Sequence, residues 1–173
     1  MNRDSILRHV NGVVRYHDPT LDRVAAVLPS PLMQKPATAR WDLEVSATDV
    51  TQLKLGFGGS NQDHKWTIAA NDLDDNGLVP IHIIQRGWNA DRYILHLKPA
   101  SDDNGAKVES ITWDSALGTD GILAVSEQQA KEEAFVLCRI HAGSVFENLS
   151  LYDISIFWEQ SPEYQEEKNG EST

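Results

Sequence analysis

The sequence predicts an all-β protein built from antiparallel strands. Short runs of β-branched and aromatic residues recur along the chain, separated by Gly, Asn, Asp and Pro. Several runs alternate between apolar and polar positions, and no helical crossover pattern separates them, so hairpins should connect the strands. About ten strands in one domain must close into a barrel or pack as two sheets. We therefore predict an antiparallel two-sheet β-sandwich of the jelly-roll type with at most one short helix, a single barrel being the alternative.

The one segment with helical character is 126–134. It contains good helix formers after Ser126, a suitable N-cap, and Glu127 and Lys131 are spaced for an i,i+4 pair. A polar loop is the alternative. Tight turns are expected at 75–77 and 102–105, because each ends in Asn-Gly, which adopts positive φ at low cost. The expected strands lie at 9–16, 24–28, 40–47, 50–57, 64–70, 78–86, 91–98, 107–114, 121–126, 134–142 and 149–158.

A single domain is expected over 1–158, followed by an acidic, flexible tail over 159–173. The first residues contain no apolar signal region, which favours a cytoplasmic protein or a part of a larger exported polypeptide. The single cysteine, Cys138, lies in an apolar run and is expected to be buried. It excludes an intrachain disulfide.

The charge balance argues against two classes of function. The chain of 173 residues carries 26 Asp and Glu against 15 Lys and Arg, a net charge of −11. A general nucleic-acid binder needs a basic face, and a cationic membrane-surface protein needs a basic helix face. No apolar run is long enough to span a membrane. The acidic excess lies in three expected connections and the tail, at 71–77, 101–105, 126–133 and 159–173.

The segment 152–156, with the sequence Tyr-Asp-Ile-Ser-Ile, resembles the closing strand of galactose-binding-like jelly rolls, a superfamily that includes many carbohydrate-binding modules. The resemblance implies non-catalytic glycan binding. In the calcium-bearing members of the superfamily, the Asp of that strand helps to hold a structural ion. The resemblance therefore makes Asp153 a candidate calcium ligand.

A second candidate for calcium is the segment 72–77. It matches the opening of an EF-hand loop, with oxygen-bearing side chains at Asp72, Asp74 and Asn76 and a glycine at the sixth position. Position 12 is Ile83 instead of a bidentate Glu, so the segment is not an EF-hand. A calcium loop between strands and a plain acidic turn remain as alternatives. No cofactor is expected to be required, and a structural Ca²⁺ ion is the one candidate.

The strongest candidate for a binding site is the predicted hairpin 80–98. Alternation places polar side chains on one face, and the expected register sets His82 near His96. A tryptophan at the tip would stack on the apolar face of a sugar ring, while planar Arg, Asn and Asp groups would bind neighbouring hydroxyls. Burial of the tryptophan over the sheet edge, with both arginines solvated, is the alternative. The candidate ligand-binding residues are Trp88, Arg86, Asn89, Asp91, Arg92, His82 and His96.

The sequence contains no nucleophile elbow, phosphate-binding glycine loop or paired-cysteine motif. The leading hypothesis is thus a non-catalytic module that binds carbohydrate or another small polar ligand. The second is a structural, protein-interaction or self-assembling domain, and the third is a hydrolase with an unrecognised pair of carboxylates. The expected partner is a glycan or small polar ligand, not nucleic acid or membrane, and the oligomeric state is left open.

Overall fold

The computed structural model describes residues 33–58, 65–85, 90–102, 104–117 and 123–149. Within these ranges, six strands form one antiparallel sheet and two short strands form a separate ribbon. Two α-helices are present, and the second continues directly into a π-helical turn. The elements in chain order are β1 (Pro36–Val45), α1 (Ala47–Leu55), β2 (Phe57–Gly58), β3 (Trp66–Ala70), β4 (Val79–Gln85), β5 (Ala90–Pro99), β6 (Ala106–Asp114), β7 (Ala116–Leu117), β8 (Leu123–Ala124), α2 (Glu127–Leu137) and the π-turn (Cys138–Ala142).

The large sheet has the spatial order β1-β6-β5-β4-β3-β2. Strands β3 to β6 are neighbours in sequence and in space, as successive antiparallel hairpins require. β1 returns to the far side of β6 and pairs with it in antiparallel register. The predicted strands at 40–47, 64–70, 78–86, 91–98 and 107–114 thus correspond to real strands, and the mainly antiparallel β character is confirmed.

Two predicted strands are wrong, and so is the expectation of at most one short helix. Residues 50–57 were expected to extend a strand, but most of them belong to α1. The Ser46 hydroxyl accepts a hydrogen bond from the backbone N–H of Asp49 at 3.1 Å, which caps this helix. Residues 134–142 are the end of α2 and the π-turn. The helix predicted at 126–134 is confirmed, with Ser126 as its N-cap, and it runs on to Leu137.

Helices, not a second sheet, cover one face of the large sheet in the described residues. The apolar side chains of this face meet those of α2 and the π-turn in one core. Burial there is the main stabilising contribution, at about 25 cal/mol per Å² of apolar surface. Cys138 lies in this core, as predicted, and burial raises the pKa of its thiol. The largest fully buried side chains are Tyr93, Phe135, Phe146, Leu53, Ile68, Ile81, Ile83, Leu95, Leu97 and Ile111.

The predicted Asn-Gly turns are present, and each glycine adopts positive φ. Gly77 has φ of 75° and Gly105 has φ of 112°. A side chain at Gly105 would place its Cβ 2.4 Å from the Val45 carbonyl oxygen, so the β5–β6 turn packs closely against the end of β1.

The predicted strands at 9–16, 24–28 and 149–158 lie outside the described residues, apart from Leu149, and so does the predicted tail 159–173. Among the helices of the described part, none has the length and apolar character needed to cross a membrane.

Candidate functional site

Polar side chains form a band across the sheet face that points away from the helices. Strand register explains the band, because side chains on one face alternate along each strand and align with those of its neighbours. His82 of β4 lies opposite Ala69 and Ile94, Ile94 lies opposite Thr112 of β6, and Thr112 lies opposite Thr38 of β1. We call this surface the polar band and define it by Thr38, Asn71, His82, Asp91, His96 and Thr112.

His82 is the most constrained member of the polar band. Its Nδ1 atom lies 3.1 Å from both carboxylate oxygens of Asp91. Its Nε2 atom lies 3.0 Å from the Nδ2 atom of Asn71. The His82 and Asp91 side chains are 14% and 10% exposed, so most of this pair is removed from water. A pair held on both sides in this way is fixed in position, and only a small part of its surface faces water.

A second series of hydrogen-bonded side chains crosses the polar band from β5 through β6 to β1. The Nε2 atom of His96 lies 2.9 Å from the Thr112 hydroxyl, which lies 2.8 Å from the Thr38 hydroxyl. Burial lowers the pKa of His96; His82 acts in the same direction, while Asp74 and Glu109 oppose the shift. His96 is therefore mainly neutral at pH 7. The hydroxyls can rotate, so this series of hydrogen bonds can run in either direction, depending on which nitrogen of His96 carries the hydrogen.

The predicted hairpin register is wrong by two residues. His96 lies opposite Pro80, and His82 lies opposite Ile94, so the two histidines are not directly opposed. They still share a face, because a shift of two residues preserves the side on which each side chain lies. The two rings are diagonal neighbours in the polar band, a relation that places Cα atoms about 7–8 Å apart.

A β-bulge in β5 separates two residues that were expected to act together. Ile83 pairs with Tyr93 and Ile84 pairs with Asp91, which leaves Arg92 as the extra residue. Asp91 contacts His82 in the polar band. Arg92 instead lies beside the hydroxyl of Tyr93, which also donates a hydrogen bond to Glu133 of α2. Asp91 and Arg92, which were both predicted to bind one ligand, therefore lie in different surroundings.

The Tyr93 hydroxyl is buried on the helix side of the sheet, beside Arg92 and Glu133. Burial raises the pKa of Tyr93 well above its usual value of 10, and Glu133 raises it further, while Arg92 acts in the opposite direction. The phenol therefore stays protonated and remains a donor to Glu133. This contact fixes α2 against β5 and belongs to the packing of the fold.

The predicted calcium ligands Asp72, Asp74 and Asn76 lie in the connection between β3 and β4. One carboxylate oxygen of Asp74 accepts hydrogen bonds from the backbone N–H groups of Asn76, at 2.8 Å, and Leu78, at 3.0 Å. The connection is thus an Asx-type turn stabilised by its own aspartate. No group of three or more His, Cys, Asp or Glu side chains suited to a metal ion occurs among the described residues. The calcium prediction has no support here, and Asp153 lies outside the described ranges.

Three of the predicted ligand-binding residues, Arg86, Trp88 and Asn89, also lie outside the described ranges. The structure brings together His82, Asp91 and His96, and it adds Asn71, Thr38 and Thr112, which the sequence analysis did not single out. Thr112 was identifiable in principle, because it is a polar position between the apolar residues Ile111 and Trp113 of an alternating strand. Asn71 has no such signal, since its contact depends on the pairing of β3 with β4.

Comparisons of the chain with protein-family models, with curated proteins and with solved structures find no match.

Proposed function

We propose that the protein is a non-catalytic binding domain for a small, neutral, polyhydroxylated ligand, with carbohydrate as the leading candidate. The observation that carries the proposal is the polar band. In it, two series of hydrogen-bonded side chains cross the sheet face that points away from the helices. Sugar hydroxyls both donate and accept, and the rotatable hydroxyls of Thr38 and Thr112 can match either role.

The charge of the polar band favours a neutral ligand over an anion. Burial lowers the pKa of His96, so its ring supplies little positive charge at pH 7. His82 already lies against the carboxylate of Asp91. A phosphate group is usually held by charge-assisted donors such as Arg, and the described part of the band offers no free cation of that kind.

The arrangement of His82 argues against its use as a general base, and it does not bear on a hydrolase with a pair of carboxylates. A histidine that acts as a general base needs one ring nitrogen directed at the proton it removes. Asp91 occupies the Nδ1 side of His82 and Asn71 occupies the Nε2 side. The pair therefore resembles a structural support for a binding surface more than an acid–base pair.

The edge strand β1 also disfavours the self-assembly hypothesis. In the described residues, β1 pairs with β6 alone, so its other side is a sheet edge. β1 begins with Pro36, carries a bulge between Arg40 and Leu43, and places Asp42 at a positive φ of 52°. Proline, bulges and charged side chains on an edge strand oppose pairing with another chain.

Calorimetric titration with a panel of neutral mono- and disaccharides tests the proposal. Thr112→Val removes one hydroxyl while keeping the shape of the side chain, and we expect about a five- to tenfold loss of affinity, as for one hydrogen bond. Trp88→Ala tests the stacking role predicted for the hairpin tip. Lys54→Ala, on the exposed side of α1, is the control and should bind like the parent.

Two results would contradict the proposal. The first is the absence of heat of binding for every sugar at millimolar concentrations. The second is unchanged affinity in both Thr112→Val and Trp88→Ala, which would place any binding site elsewhere. Light scattering during size-exclusion chromatography addresses the alternative, because a dimer that forms with rising concentration would favour self-association.

A further inference from the structure

Two Asn-Gly pairs, at 76–77 and 104–105, lie in the described residues, and each is preceded by an aspartate. Such a pair can react without an enzyme. The backbone nitrogen of the glycine attacks Cγ of the asparagine, forming a C–N bond and giving up its proton, while the side-chain amide leaves as ammonia. Water then opens the resulting succinimide ring and leaves an aspartate or an isoaspartate. The overall reaction consumes water, releases ammonia and replaces an amide by a carboxylate.

The backbone at the glycine decides whether this reaction can occur in a folded chain. The glycine nitrogen must turn toward the asparagine side chain, and a glycine allows the approach because it has no Cβ in the way. The side chains of Asn76 and Asn104 are both exposed, so neither asparagine is held back by burial. Because the local sequence is Asp-Asn-Gly in both places, any difference between them must come from the fold.

Gly77 lies in an open turn. A Cβ added to it would meet no atom of the described residues within 4 Å, apart from its neighbours in the chain. Its N–H donates to the Asp74 carbonyl at 3.0 Å, and the Asp74 carboxylate accepts from the N–H groups of Asn76 and Leu78. All of these contacts lie within one short connection at the surface. A segment of this kind opens by itself, at a small fraction of the free energy of global unfolding.

Gly105 lies in a closed turn. It is buried, and a Cβ added to it would lie 2.4 Å from the Val45 carbonyl oxygen at the end of β1. Its own carbonyl accepts from the N–H of Ala100 at 3.1 Å, and the next residue, Ala106, pairs with Val45 in the sheet. The 104–105 peptide can therefore turn only when β6 and β1 separate at this end, which breaks contacts between distant segments.

We propose that Asn76 is a site of spontaneous deamidation in the folded protein and that Asn104 is protected from the same reaction by the packing of Gly105 against β1. The reaction adds a carboxylate beside Asp74. The isoaspartate product also lengthens the backbone by one carbon, so the Asp74 carboxylate can no longer hold the N–H groups on both sides of Gly77 in the same turn.

Peptide mapping by mass spectrometry tests the proposal on the full chain. Samples are incubated at mildly alkaline pH, one folded and one in denaturant, and the conversion of each asparagine is followed with time. In the folded sample, we expect conversion at Asn76 to be faster by roughly tenfold or more, because opening at Asn104 breaks additional hydrogen bonds of the sheet. In denaturant, the two rates should be similar, since the local sequences match.

Three results would overturn the proposal. The first is equal conversion of Asn76 and Asn104 in the folded protein. The second is faster conversion of Asn104. The third is an Asn76 that reacts in denaturant and stays intact in the folded protein, which would show that the turn protects it.

Gly77→Ala tests the route of the reaction, with Asn104 in the same molecule as the control. The added methyl group hinders the backbone nitrogen, so most of the conversion at Asn76 should be lost, together with its isoaspartate product. Unchanged conversion at Asn76 in this variant would mean direct hydrolysis of the side chain and would contradict attack by the backbone. Gly77 has a φ of 75°, which is strained for alanine. If the variant unfolds, Asn104 will convert at its denatured rate, and the comparison of folded and denatured parent protein then decides.

Discussion

At the scale of single residues, Asp49 and Arg139 fix the chain that leaves the π-turn. The Asp49 carboxylate accepts hydrogen bonds from the backbone N–H groups of Val145, at 2.6 Å, and Phe146, at 2.9 Å. Arg139 donates to the carbonyl oxygens of the same two residues. Phe146 has a positive φ of 50°, which is costly for a residue with a side chain. Its backbone is held there by groups on both sides.

The two charged side chains also compensate each other in the interior. Asp49 and Arg139 are 2% and 5% exposed. Burial lowers the pKa of Arg139 to about 10, and Asp49 opposes that shift, so the guanidinium stays charged at neutral pH. Removing one of two opposite charges from the interior is expensive, because the other charge then keeps only its hydrogen bonds to backbone carbonyl oxygens.

Asp49→Asn should therefore destabilise the fold by about 3–5 kcal/mol. The new amide would direct N–H groups at the N–H of Val145 or Phe146, and Arg139 would lose its counter-charge. Denaturant unfolding followed by tryptophan fluorescence measures the loss. Asp42→Asn, which removes an exposed carboxylate near Arg40, is the matched control and should unfold almost as the parent does. Similar midpoints for Asp49→Asn and the parent would contradict this account of the interior.

At the scale of elements, the two α-helices show what a sequence pattern can and cannot decide. In the segment 50–57, Leu53, Leu55 and Phe57 are apolar at alternate positions, which favours a strand. Ser46 is an N-cap residue, and the helix prevails because its hydroxyl accepts from the backbone N–H of Asp49, while the Asp49 carboxylate binds the distant backbone of Val145. The segment 134–142 is apolar enough for a buried strand, yet Ala130, Ala134 and Leu137 are spaced for one helix face.

Ser126→Ala tests how much the start of α2 contributes to stability. Ser126 and Gln129 form a capping box, in which each side chain bonds to the backbone N–H of the other. Loss of the cap should cost about 1 kcal/mol. Differential scanning calorimetry should then show a melting temperature lower by about 2–4 °C.

Thr51→Ala on α1 is the control for this substitution. Its hydroxyl bonds back to the carbonyl of Ala47 within the helix, an interaction that contributes little to stability. An equal loss of melting temperature in both variants would show that removal of any helical hydroxyl has the same effect and that the capping box has no special role.

At the scale of the whole molecule, local sequence patterns predicted the strands better than they predicted which elements pack against the sheet. Alternation identified five of the six strands of the large sheet, and Asn-Gly turns identified the hairpin ends at Gly77 and Gly105, because both signals are contained in a few neighbouring residues. The layer packed on the sheet depends on contacts between distant segments, such as Tyr93 with Glu133.

In the candidate site, too, local patterns were predictable and contacts between distant segments were not. His82 and His96 were placed on one face by alternation alone. The partner of His82 at Asn71 and the separation of Asp91 from Arg92 depend on strand pairing and on a bulge, which the sequence did not reveal.

The polar band also makes the stability of the whole molecule depend on pH. Burial lowers the pKa of His96 below its ordinary value of 6.5, so the unfolded chain binds this proton more tightly than the folded chain. The stability that His96 contributes is therefore fully present above pH 6.5 and is lost as the pH drops from 6.5 through the folded-state pKa. Below the folded-state pKa, His96 no longer contributes to the change of stability with pH.

His96→Gln isolates this contribution, because glutamine can still bond to the Thr112 hydroxyl but does not titrate. Denaturant unfolding between about pH 7.5 and about pH 5 should show a smaller loss of stability in the variant than in the parent. Above that range, the difference between the two proteins should be independent of pH. Parallel curves across the whole range would mean that His96 has the same proton affinity in the folded and unfolded chains, and would place the acid sensitivity of the sheet in its other ionisable groups.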